Sequence, residues 1–65
     1  MREGSEELVR ARSSLVGHAQ TFRSFGFKAA DWVRWAIDEH YEEARVVGPV
    51  GLARIAAAVW SEPAR

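Results

Sequence analysis

The sequence predicts an all-α fold, a small three-helix bundle, on three observations. Apolar residues recur at spacings of three and four, glycine or proline separates the stretches in which they do so, and no run alternates with the period of a strand. The helices are expected at approximately 5–23, 29–44 and 49–60. With 65 residues there is room for one core, so a single helical domain spanning 1–65 is expected.

In the first helix Ser5 is placed to cap, and Glu6 and Glu7 follow where the helix dipole favours negative charge. Leu8, Ala11, Leu15 and Phe22 form a stripe that includes His18, widened by Val9, Val16 and Ala19. Gly17 weakens the helix and allows a bend. Ser24–Lys28 reads as a turn around Gly26, with Phe25 and Phe27 expected to plug the core from it. In the second helix Ala30, Val33, Ile37, Tyr41 and Ala44 form the expected core stripe. Trp32, Ala36 and His40 lie beside it, and Trp35 departs from it. Val46–Gly51 is the strongest break, and Pro49 suits a first helical position, where its missing N–H costs nothing. Leu52, Ile55, Ala56, Val59 and Trp60 give the third apolar face, which Ser61–Pro63 ends.

Composition excludes several function classes. Without cysteine there is no disulfide framework and no thiolate zinc site. No apolar run reaches the roughly 18 residues of a membrane span, and the polar N-terminus from Met1 to Glu7 does not read as a signal peptide, so a cytoplasmic protein is expected. A formal net charge of zero disfavours general nucleic-acid binding. That charge is segregated, however. Residues 8–30 hold Arg10, Arg12, Arg23 and Lys28 and no acid, whereas residues 31–43 hold Asp31, Asp38, Glu39, Glu42 and Glu43 against Arg34.

Ser14 and His18 share a helix face at i, i+4. A working nucleophile also needs an orienting acid and an oxyanion hole, and an acid could come only from outside residues 8–30. His18 therefore reads as a buried or half-buried histidine with a hydrogen-bond partner. Glu39, His40 and Glu43 form an E-H-x-x-E cluster in which His40 and Glu43 point the same way. Those are two ligands where zinc wants three or four. The pairs Asp38/Glu42 and Glu39/Glu43 read as solubility or partner-choice charges. Gly48-Pro49-Val50-Gly51 has neither the spacing nor the lysine of a phosphate loop. No catalytic residue, metal ligand or cofactor is assigned.

Asp31-Trp32-Val33-Arg34-Trp35-Ala36-Ile37, a break, then Gly51-Leu52-Ala53-Arg54-Ile55-Ala56-Ala57-Ala58-Val59 resembles the first two helices of a winged-helix or helix-turn-helix domain. The L-x-x-I-A pattern falls on Leu52–Ala56, and Ser61-Glu62-Pro63 stands where the turn would be. Trp60 occupies the usual small turn position, and no recognition helix or wing follows within the sequence. The resemblance implies shared helix packing and, as the alternative function, a nucleic-acid-binding accessory domain contacting its partner through Arg10, Arg12, Arg23 and Lys28.

The favoured expectation is a non-enzymatic helical protein–protein interaction domain. Its partner is itself or another helical protein, with nucleic acid not favoured and no membrane. Three Trp and three Phe are many large rings for so short a chain, and small chains lacking disulfides or metals often gain stability by association. Trp32, Trp35 and Trp60 are the expected partner-binding residues, since tryptophan anchors interfaces.

Overall fold

The computed structural model describes residues 3–63; Met1, Arg2, Ala64 and Arg65 lie outside them. Three helices pack against one another: α1 (Glu3–Ser24), α2 (Ala29–Glu39) and α3 (Tyr41–Trp60). The bundle is elongated, 39 × 23 × 17 Å, as a 22-residue α1 of roughly 33 Å requires.

α1 begins upstream of Ser5, which therefore lies inside its first turn and not at its cap. Gly17 does not break it. Its end is a complete Schellman motif. Gly26 takes φ +89°, its N–H donates to the Arg23 carbonyl at 3.0 Å, and the Phe27 N–H donates to the Phe22 carbonyl at 3.0 Å. The accompanying apolar contact is Phe27 on Phe22, with ring centroids 5.1 Å apart. This motif corrects the expectation for the two turn phenylalanines. Phe27 covers α1 from outside, and Phe25 is 75% exposed; neither plugs the core.

α2 starts where the Asp31 carboxylate accepts the Lys28 backbone N–H at 3.3 Å, half of a capping box. The expected helix over 29–44 is divided. His40 leaves helical geometry (φ −129°, ψ 50°), and a short helical piece over residues 41–47 precedes a second break at Gly48 (φ 84°, ψ 164°). That conformation is essentially restricted to glycine. Pro49 follows it, as a proline at the head of a new helical stretch.

The core is built from Leu15 and Ala19 of α1, Trp32 and Ala36 of α2, and Ala44, Leu52, Ile55, Ala56 and Val59 of α3. Trp32 and Leu15 are fully buried, and the alanines let the helices close around them. A buried Trp removes about 150–250 Å² from water, worth about 4–6 kcal/mol at 25 cal/mol/Å². That outweighs the roughly 1–3 kcal/mol cost of leaving its indole N–H, which has no partner among the described residues, unbonded.

The α1 and α3 stripes fall inside as expected, apart from Leu8 and the flanking Val9, which are exposed. The α2 stripe does not. Ala30, Ile37 and Tyr41 are exposed, Val33 is half-buried, and Trp32 and Ala36, read as flanking, form the core face. The break at His40 is the physical reason: Tyr41 and Ala44 belong to another helix and no longer extend a stripe through Ile37.

Candidate functional site

Two places concentrate chemistry or unsatisfied surface. The first is the junction of α1 with the α2–α3 break. Trp35 lies half-buried there, its ring 4.9 Å from His18, 4.9 Å from Phe22 and 4.7 Å from His40. The two imidazoles are themselves 4.8 Å apart. Below them Glu43 reaches back from α3: its Oε1 accepts from Ser14 Oγ at 3.1 Å and lies 3.1 Å from His40 Nδ1. When Nδ1 carries a hydrogen it donates to that carboxylate. The two pairs noted in the sequence, Ser14/His18 and His40/Glu43, thus meet across the bundle.

Their order decides what they can do. A hydrolytic relay puts the histidine between serine and acid, so that the imidazole takes the serine proton. Here the acid stands between, and Ser14 donates to Glu43, not to a histidine. Among the described residues no three His, Asp or Glu side chains are placed to hold a metal ion. The junction is a set of tilted and edge-on ring contacts and shared hydrogen bonds that ties α1 to the break at His40. It also explains why Trp35 departs from the α2 stripe: its ring fills the wedge over that break.

The other expected partner residues are likewise engaged inside the bundle. Trp32 has no exposed surface and so cannot anchor a partner. The Trp60 indole N–H donates to the Phe27 carbonyl at 2.9 Å and fastens the end of α3 to the α1–α2 turn. Its ring lies 6.1 Å from Trp32. Arg23 strengthens that end by donating to the Glu62 carbonyl at 2.5 Å.

The basic residues do not gather on one surface. Arg10 lines a shallow groove with Glu7, Glu42 and Glu43, whereas Arg12 lines another with Leu8, Val50 and Arg54. Lys28 lies at the α2 N-terminus, beside Asp31. Arg45, paired with Glu42 at 3.0 Å and set over the Tyr41 ring, has its guanidinium pKa raised above the usual value, chiefly by the Glu42 hydrogen bond.

The second place is the outward face of α2, where Ala30, Val33 and Ile37 line a shallow groove with Arg34 and Asp38. Ile37 is 45% exposed. Sequence reasoning found this stripe but assigned it to the core, so the residues were legible and their side was not. No helix among the described residues is long and apolar enough to cross a membrane. Comparison of the chain with protein-family models, with curated proteins and with solved structures gives no match.

Proposed function

We propose that this chain is a non-enzymatic helical protein–protein interaction domain that associates with itself. The observation that carries the reading is the two-sided α2. One apolar side, Trp32 and Ala36, closes the core, and on the other Ala30 and Ile37 are left facing outward, with the half-buried Val33 packed on the core at the edge between the two. A surface helix of a self-sufficient monomer has one apolar stripe and a polar opposite face. Phe25, Val50 and Val9 add further exposed apolar surface. The size of the chain supports the same reading, because a domain this short buries only about 60% of its unfolded surface and gains from covering more. Tryptophans are not the anchors in this version of the reading; aliphatic side chains of α2 are.

Solution mass against concentration tests it. Sedimentation equilibrium from low micromolar upward is expected to give a mass that climbs above the 7.3 kDa of one chain. A constant 7.3 kDa up to millimolar concentration would remove the reading.

A further inference from the structure

We infer that the second copy docks α2 against α2, antiparallel across a twofold axis, with Ile37 near the axis and Arg34 of each chain facing Asp38 of the other. The inference rests on the self-association reading and adds to it the surface, the orientation and the pairing.

The argument begins with where the charges sit. Ala30, Val33, Ile37, Arg34 and Asp38 line one groove on the outside of α2. At 100° per residue, Ala30 and Ile37 lie at the middle of that face, and Arg34 and Asp38 follow one another along the same flank. Among the described residues the ion pairs within the chain are His40–Glu43 and Arg45–Glu42, so neither Arg34 nor Asp38 is engaged by an intrachain partner.

A flank carrying one cation and one anion four residues apart is complementary to itself under one operation. A twofold axis lying across the helix reverses its direction and keeps each flank on the same side. If the axis passes between residues 34 and 38, Arg34 meets the partner's Asp38 and Asp38 meets the partner's Arg34. The rise of about 6 Å between them places the two pairs symmetrically. A parallel twofold arrangement carries the two charged flanks to opposite sides of the seam, so that neither Arg34 nor Asp38 meets its opposite charge on the partner. The same axis lies close to Ile37, so each Ile37 covers its counterpart while Val33 and Ala30 fill the ends of the seam. This is the isologous, self-complementary contact of a twofold dimer. Charge then selects orientation and partner, and the apolar strip supplies the contact. Because α2 has 11 residues, the seam lies at the small end of specific interfaces, and association is weak.

Charge exchange on the full chain tests the pairing. Arg34→Asp places like charges in both pairs, and so does Asp38→Arg. Each is expected to weaken self-association by about tenfold or more. The double variant Arg34→Asp/Asp38→Arg restores both pairs without changing net charge and is expected to recover wild-type sedimentation. An equimolar mixture of the two single variants is expected to form a heterodimer. Both residues are exposed, and circular dichroism checks that each variant stays folded. If the wild type associates while the single variants associate equally well, the α2 seam is wrong and self-association stands through another surface. If the double variant stays as weak as the singles, the antiparallel pairing is wrong. A wild type that remains a monomer removes the seam together with the reading on which it rests.

Discussion

Along α1 the exposed residues after Arg10 are Arg12, Ser13, Gly17, Gln20, Thr21 and Ser24, and the apolar ones turn inward. Along α2 the exposed residues include Ala30 and Ile37, and the inward ones are Trp32 and Ala36. α1 offers the bundle one apolar stripe, so its orientation follows from spacing alone. α2 is apolar around most of its circumference, so spacing leaves two orientations and volume chooses between them. Burying the Trp32 ring gains more than burying Ile37, and Ala36 beside it leaves room for the approach of α3. What remains outside on α2 is a short apolar strip, Ala30 and Ile37, left exposed among the described residues.

Substitutions on the two sides of α2 separate these roles most sharply. Trp32→Ala should cost about 3–5 kcal/mol, against a total stability of about 3–10 kcal/mol for a chain of this length. The expected outcome is a lost or broadened thermal transition. Ile37→Ser, on the other side, should change the stability of the dilute chain by less than about 0.5 kcal/mol, as exposed substitutions do. Equal losses at the two positions would mean that α2 has no preferred side.

The next effect in size concerns the breaks that set where α2 stops. Gly48→Ala forces a side chain into φ 84°, ψ 164° and should cost about 1–3 kcal/mol by denaturant titration. A neutral result would mean that the 41–47 piece and the helix after Pro49 do not need this angle. Trp60→Phe deletes the indole N–H held by the Phe27 carbonyl and should cost about 1 kcal/mol. The smallest effect belongs to α1. A Cβ at Gly17 meets nothing within 4 Å, so Gly17→Ala should stabilise by about 0.5–1 kcal/mol. A loss there would show that α1 needs the flexibility that the sequence suggests and the fold does not use.

The same contrast explains what could be read in advance. The three-helix architecture, the α1 and α3 faces and the Gly26 and Gly48–Pro49 breaks all follow from local rules: spacing, glycine at positive φ, proline at a helix start. The division at His40 does not, because no residue there is a breaker; His40 meets His18 across the bundle and Trp35 and Glu43 on either side of the bend. Missing that bend extended the stripe through Tyr41 to Ala44 and turned α2 the wrong way. Ser14, His18, His40 and Glu43 were each legible as polar residues near apolar faces, and their meeting depended on the same bend. Trp35 was expected in an interface because its phase departs from the stripe, and that departure serves the wedge over His40.

The central claim is that the outward strip of α2 is a face for a second copy. Sedimentation equilibrium of the wild type and of Ile37→Asp, side by side over the same concentration series, tests it most directly. The account predicts a wild-type mass rising above 7.3 kDa while the variant stays at one chain and keeps its helical circular dichroism. Identical curves for the two proteins, whether both associate or neither does, would contradict it.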